Sequence, residues 1–355
     1  LNWLWTHEKY RAWWESESSS ILFIEGKPGS GKSTLAKYFK QSLKEEDNPG
    51  VVAHYFYTFR ERELETTHRN MLRSILHHIL EKDEHFFVHH FQREFRSARP
   101  RNHEQWPYDS LKKILLSFAD HPVEKELYLI LDALDESEEN DRCDIVDLLY
   151  ELCTKTRFCR LKIFITSRPI QQLQRHIQEH HHVISLQEEN GPDIAKFVHD
   201  SLYKKLESSK EIFGQAKGHI TTHAQGVFIW VSLVIKELLH YINTFRDKNQ
   251  FIPFLKKVPV DLQELYKFTL DRVQLSAIAD TRKIFQFVLF ARRPLTVVEV
   301  YHSTIFAEHD SAVDSLVLPS DEKFQENTPD DMEKRILYLG RNLLETRGIG
   351  GITFI

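Results

Sequence analysis

The sequence predicts an α/β protein: a parallel, three-layer sheet carrying a phosphate-binding loop, followed by a helical domain and a small winged-helix-like unit. Three observations predict it. Up to about residue 190, continuous apolar runs of strand length alternate five times with amphipathic helical segments, as in sheets covered on both faces. Gly26-x-x-x-x-Gly31-Lys32-Ser33 joins the first apolar run to the first helical segment. Beyond about residue 190 the strand pattern stops and helical periodicity takes over. The boundaries this implies are 1–189 for the α/β core, 190–280 for the helical domain and 281–355 for the last unit.

Residues 1–14 hold Trp3, Trp5, Tyr10, Trp13 and Trp14. They read as a short helix or turn-helix beside the first strand, a core role being favoured over a surface recognition segment. Ile21–Ile24 is the first strand, and Thr34–Lys44 is the helix after the loop. Val51–Thr58 is the second strand, and Arg60–Glu65 a charged loop. Met71, Leu72, Ile75, Leu76, Ile79 and Leu80 recur at three-and-four spacing, which makes Thr67–Leu80 a helix. Phe86, Phe87, Phe91 and Phe95 suggest another amphipathic helix. Pro100 and Pro107 mark a loop before a helix at Ser110–Ala119. Leu127–Leu131 is a strand, Cys143–Cys153 a helix, and Leu161–Thr166 the next strand. Pro169 then favours an extended residue before it and a new helix after it. Val183–Leu186 closes the sheet.

The second half reads as helices at Asp193–Leu206, Glu211–Thr222, Val227–Tyr241, Leu262–Val273 and Thr281–Phe290. A break at Pro294 precedes a helix at Val297–Ile305. A loop to about residue 328 follows, then a helix at Met332–Leu339. Leu343–Thr346 and Ile352–Ile355, separated by a glycine-rich turn, read as a hairpin. Three helices and a hairpin give the last unit its winged-helix-like layout.

Formal net charge is −5, which argues against a nucleic-acid-binding body. No apolar run reaches the ~18 residues of a membrane helix. Cys143, Cys153 and Cys159 form no CxxC pair, so buried thiols in a reducing, cytoplasmic setting are expected rather than a zinc site or disulfide scaffold. The 20 histidines are scattered. The chain starts at Leu1 without a leader and is expected to be an excised piece of something longer.

The loop carries the chemistry. Gly26, Gly29 and Gly31, with Pro28 and Ser30 between them, let the backbone wrap phosphate oxygens, and the first helical turn points its N–H groups at the anion. Lys32 is placed to reach the outer phosphates, and Ser33, with Thr34 beside it, to hold magnesium. Asp132, at the mouth of its strand, is the second magnesium candidate, since ligands of a parallel sheet gather at the carboxyl ends of strands. Glu136 is the candidate for polarising an attacking water, with Asp135 sharing that task or holding the metal-bound water. An acidic helix N-terminus is the plainer alternative for this cluster. Arg168 comes at the end of the Ile163–Ser167 run, and the sheet edge aims it, or Thr166 and Ser167, at the outermost phosphate. A solvent-facing or carboxylate-paired arginine is the alternative.

Together Gly26-Lys-Pro-Gly-Ser-Gly-Lys-Ser-Thr34, Leu131-Asp-Ala-Leu-Asp-Glu136 and Phe164-Ile-Thr-Ser-Arg-Pro169 resemble the NACHT nucleoside triphosphatases of the multidomain signal-transduction class. More narrowly, they resemble the fungal NOD-like receptors of non-self recognition and heterokaryon incompatibility. Met71–His77, Gly226–Val231 and Phe287–Thr296 extend the likeness over most of the chain. The resemblance implies a slow ATPase or GTPase acting as a switch, with ADP or GDP held at rest, Mg2+ as cofactor and self-association on activation. It implies Lys32, Ser33 or Thr34 on phosphates and metal, Asp132 on the metal, Asp135 and Glu136 near the water, and Arg168 as sensor. It further implies an N-terminal effector and C-terminal repeats outside this stretch. Relatives often set a proline against adenine where Phe228 stands here, so Phe228 either stacks on the base or packs in the helical core. Relatives also continue past a stretch like Ile352–Ile355 with a histidine on the diphosphate. A conventional nucleotide-dependent kinase and a winged-helix nucleic-acid-binding regulator are the rival readings. No acceptor site is evident for the first, and the acidic balance disfavours the second.

Overall fold

The structure is a computed structural model. It describes residues 1–45, 50–58, 66–97, 106–121, 126–139, 142–171, 173, 182–207, 209–245, 250–306, 328–341, 343–347 and 351–354. The expected charged loop Arg60–Glu65, the break at Pro100, most of the helix anticipated after Pro169, the long loop before residue 328 and the glycine-rich turn at 348–350 lie outside the described residues. Two compact units result, Leu1–Asp193 and Ile194–Ile355.

In the first unit, β1 (Ser20–Glu25), β2 (Val51–Phe56), β3 (Leu127–Asp132), β4 (Leu161–Ser167) and β5 (Val183–Ser185) form one sheet. The order is β2-β3-β4-β1-β5, and every pairing is parallel. β3 and β4 are buried at every residue, which explains their unbroken apolar runs. Alternate side chains of β1 go to opposite cores. Ile21 and Phe23 join Ile75, Ile145 and Leu149 on one face, while Leu22 and Ile24 join Leu35, Phe39 and Trp13 on the other. β4 separates β1 from β3. Glu25 pairs with Ser167, and Leu131 with Ile165, so the ends of all three strands open on one edge.

The tryptophan-rich start forms two short helices, Trp3–Thr6 and Glu8–Glu15. Trp13 is fully buried against Phe39 and Phe164, and Trp14 stacks on Tyr128. Lys162, buried in β4, fastens this segment: its Nζ donates to the carbonyls of Trp13, Ser16 and Ser18 at 2.7, 2.6 and 3.2 Å. Helix His68–Lys82 starts one residue after its expected bound because Thr67 is its N-cap, the hydroxyl accepting from Asn70 N–H. The phenylalanine-rich segment is not one continuous α-helix. It runs as Glu84–Phe86, a π-turn at Phe87–Phe91, and Gln92–Ser97. At this widened turn His90 meets buried His121 at 3.1 Å, and His121 meets Asp83 at 2.8 Å.

The second unit contains two apolar clusters. Helices Gly191–Leu206, Lys210–His223, Phe228–Phe245, Phe251–Lys257 and Leu262–Leu270 contribute Val198, Ile220, Val234, Leu255 and Leu265 to one. Helix Phe251–Lys257 was not anticipated. Its Pro253 resembles a breaker but stands in the first turn, where no N–H is needed. The other cluster joins helices Ile278–Phe290, Val297–Phe306 and Pro329–Leu339 through Ile284, Val300 and Ile336. The expected hairpin, β7 (Leu344–Arg347) and β8 (Gly351–Phe354), gains a third strand, β6 (Leu295–Thr296), in the antiparallel order β6-β8-β7. The last helix starts at Pro329 instead of Met332 because Thr328 and Asp331 form a capping box. Among the described residues no helix is long and apolar enough to cross a membrane.

His54 on β2 stacks on His78 with ring centroids 4.2 Å apart, and its Nε2 lies 3.4 Å from Lys40 Nζ. Burial first, then the positive charges of His78, Lys40 and Lys44, hold its pKa down to about 4. An unfolded histidine titrates near ~6.5, so on acidification the unfolded chain takes up the proton first. The stability contributed by neutral His54 is therefore complete above about pH 6.5 and is lost as pH falls towards about 4. Urea midpoints at about pH 7 and about pH 5 are expected to differ less in His54→Gln than in the parent chain. An unchanged difference would show that another group sets the acid sensitivity.

Candidate functional site

The loop between β1 and helix Lys32–Lys44 folds as its glycines dictate. Gly29 and Gly31 have φ of 72° and 98°, a region closed to most side chains, and Gly31 is the N-cap of the helix. Gly26 is pressed from inside: a Cβ there would lie 2.5 Å from Ser30 Oγ. Ser30 is buried, and its Oγ has no hydrogen-bond partner among the described residues. Asn190 Nδ2 donates to Ser30 O at 3.0 Å and supports the loop from behind. Lys32 starts the helix, two residues before the expected Thr34, and is 9% exposed. Its ammonium donates to Gly26 O at 2.8 Å and Lys27 O at 3.1 Å. Burial lowers the Lys32 pKa, while Asp135, Asp132 and Glu136 oppose that shift. Lys27, Pro28, Gly29, Ser33 and Thr34 are exposed.

Asp132 closes β3 and is 3% exposed. Burial raises its pKa, opposed by hydrogen bonds from Thr166 and Ser33 and by the charge of Lys32. The Thr166 hydroxyl donates to Asp132 Oδ1 at 2.5 Å and accepts from Ala133 N–H at 3.1 Å. Ala133 itself is left-handed, with φ of 55°. Thr166, expected to face a phosphate, instead spends its hydroxyl on the acidic strand. This bridge turns the chain sharply, so that Leu134–Glu136 forms a 3-10 turn on the sheet edge.

Asp135 and Arg168 meet there. Arg168 Nε lies 2.9 Å from Asp135 Oδ2, and Arg168 N–H donates to Oδ1 at 2.9 Å. This is the carboxylate-paired arginine that spacing alone left open. Arg142, missed in the sequence, donates from Nη2 to Asp135 O at 2.8 Å and to Ser137 O at 2.6 Å. Asp135, Glu136, Glu138 and Glu139 share a cavity of about 560 Å³ with Thr66, Ser137, Arg142 and Arg168. Glu136 therefore lines this cavity together with two arginines. Phe228 begins a helix of the second unit, half-buried against that unit's core and edge-on to Phe197 at 6.1 Å.

These residues fit a nucleotide phosphate chain and a divalent cation. Left-handed glycines, a close-packed Gly26 and a helix N-terminus make a cradle for an anion. Ser33 and Asp132 are hard oxygen donors, near enough that Ser33 opposes the rise that burial gives the Asp132 pKa. Among the described residues no group of three or more His, Cys, Asp or Glu side chains is placed to hold a metal, so a cation at Ser33 and Asp132 would draw its other ligands from phosphate and water.

Residues 1–168 match the family described as nephrocystin 3, N-terminal. Over 314 residues, 84% of this chain, the sequence is 24% identical to the vegetative incompatibility protein HET-E-1 of Podospora anserina. The chain spans 22% of the length of that relative. These matches bear out the resemblance read from the three motifs. Among solved structures, the Aeropyrum pernix Orc1 protein in complex with DNA aligns at a TM-score of 0.37 and 12% identity, covering 98% of this chain and 86% of that one. A RuvB mutant of Thermotoga maritima aligns at 0.40 and 9% identity, covering 100% and 91%. Both TM-scores lie below 0.5, so neither structure informs the function.

Thr166→Val is expected to destabilise the first unit by about 1–3 kcal/mol, because it leaves a buried carboxylate and a buried N–H each short of a partner. Thr166→Ser keeps the hydroxyl and is expected to recover most of that loss. Urea denaturation followed by tryptophan fluorescence measures both. Equal stability of Val and parent would show that the bridge contributes nothing.

Proposed function

We propose that this chain, a relative of fungal NACHT-type incompatibility proteins, is a nucleotide-operated switch that binds ATP or GTP and hydrolyses it slowly. The observation that carries the reading is that the glycine-lined loop after β1 and Asp132 at the end of β3 open on the same sheet edge, with only β4 between their strands.

In this reading Gly26–Gly31 and the first turn of helix Lys32–Lys44 hold the phosphates through main-chain N–H groups. Lys32 leaves the carbonyls of Gly26 and Lys27 for phosphate oxygens, an exchange of neutral acceptors for charged ones. Ser33 and Asp132 hold magnesium, with Thr34 next to them on the exposed side. Magnesium when bound supplies charge neutralisation along the phosphate chain. Glu136 is the carboxylate assigned to orient the attacking water, and Arg168, paired with Asp135 beside it, is the sensor of the outermost phosphate. Turnover is slow because the product of the reaction is a conformation, with the diphosphate held at rest. The second unit is read as a helical domain and a winged-helix-like domain that respond to the nucleotide. Self-association on activation, and effector and repeat domains elsewhere in a longer protein, complete the proposal. Its setting is cytoplasmic signalling in non-self recognition.

Lys32→Ala is expected to weaken Mg-ATP and Mg-GTP binding by at least about ten-fold, since a charge-assisted contact contributes about 1.5–3 kcal/mol. Calorimetric titration measures it, and unchanged affinity for both nucleotides would remove the loop from the mechanism.

Glu136→Gln keeps the side-chain volume and removes the charge. It is expected to leave Mg-nucleotide binding intact and to slow phosphate release on the order of a hundred-fold. Parental hydrolysis in this variant would place the water-orienting group elsewhere.

A further inference from the structure

Asp135 and Glu136 are adjacent, yet their surroundings differ. Both carboxylate oxygens of Asp135 are taken by one residue, with Arg168 Nε 2.9 Å from Oδ2 and Arg168 N–H 2.9 Å from Oδ1. The Asp135 side chain is 10% exposed, whereas that of Arg168 is 50% exposed. The main chain is fixed as well, because Arg142 holds the carbonyls of Asp135 and Ser137 from one guanidinium nitrogen. A carboxylate bonded at both oxygens to one arginine fixes the orientation of that arginine's Nε edge. Asp135 is the anchored member of the pair, and Arg168 is the exposed one.

We infer that Asp135 is a positioning residue for Arg168. It holds the guanidinium by its Nε edge and bonds the Arg168 main-chain N–H. The terminal nitrogens are left for an anion at the mouth of the cavity that Glu136, Arg142 and Arg168 share. This assignment rests on the nucleotide-switch reading and deepens it. The preference of the site for a triphosphate over a diphosphate belongs to the Asp135–Arg168 pair acting as one unit.

The test is a double-mutant cycle on the full chain, read by binding alone. Dissociation constants for Mg-bound ATPγS and GTPγS, and for ADP and GDP, are measured in the parent, Asp135→Asn, Arg168→Ala and the double variant. Each single substitution is expected to reduce the triphosphate-over-diphosphate preference on the order of ten-fold, and the double variant no more than either alone. Two outcomes overturn the assignment. One is an Asp135→Asn chain that keeps the parental triphosphate-over-diphosphate preference. The other is a double variant in which the two losses multiply. Arg168→Lys supplies an independent arm should Asp135→Asn fail to fold. It keeps the charge but lacks the Nε edge, and is expected to lose the preference; full retention overturns the assignment. A parent chain that binds none of the four nucleotides overturns the switch reading itself, which separates that failure from a failure of the pair.

Discussion

A carboxylate with 3% of its surface exposed requires a donor, and Asp132 finds one in the Thr166 hydroxyl of β4. Leaving a buried charge unpaired costs several kcal/mol, so the geometry around Asp132 is held tightly. That single group ties the end of β4 to the start of the acidic turn. It also accounts for the left-handed Ala133, whose N–H returns to the Thr166 hydroxyl. Loss of this node would loosen the turn and the end of β4 together.

The sheet order makes the node available. With β4 inserted between β1 and β3, a side chain at the end of β4 has the phosphate loop on one side and the acidic strand on the other. Thr166 and Arg168 use this position in different ways. Thr166 is buried and bonds to the strand end, while Arg168, two residues on, emerges and pairs with Asp135. The same edge therefore carries a rigid part at Asp132 and an exposed cation nearer solvent. A switch needs both kinds of group, one to hold the phosphates in place and one to respond to what is bound.

Much of this was legible in the sequence wherever the signal was local. The glycine spacing, the lysine and the strand before it lie within one short stretch, and the observed loop and helix follow it closely. The buried strands were legible because both faces are covered, which leaves apolar runs without alternation. What escaped was long-range. Asn190 acts on the main chain of a distant segment, and Arg142 folds back on the turn just before it; nothing in the sequence near either marks that role. Lys162 was read as one residue of an apolar strand, yet its ammonium is satisfied by three carbonyls of the tryptophan-rich segment. The broken helix at Phe86–Phe95 kept its aromatic spacing but acquired a π-turn, because Asp83, His121 and His90 are joined there across the fold. Helix Phe251–Lys257 was hidden by a proline in the one turn that tolerates it.

The most direct test of a nucleotide-operated switch is amide hydrogen exchange of the whole chain with magnesium and no nucleotide, with a diphosphate, and with a non-hydrolysable triphosphate. Both nucleotides are expected to protect Gly26–Leu35. The triphosphate alone is expected to change exchange at Leu134–Ser137 and in helices of Ile194–Ile355. Unchanged exchange at Gly26–Leu35 with either nucleotide would contradict binding at the loop. Protection there with identical patterns elsewhere for the two nucleotides would contradict the switch.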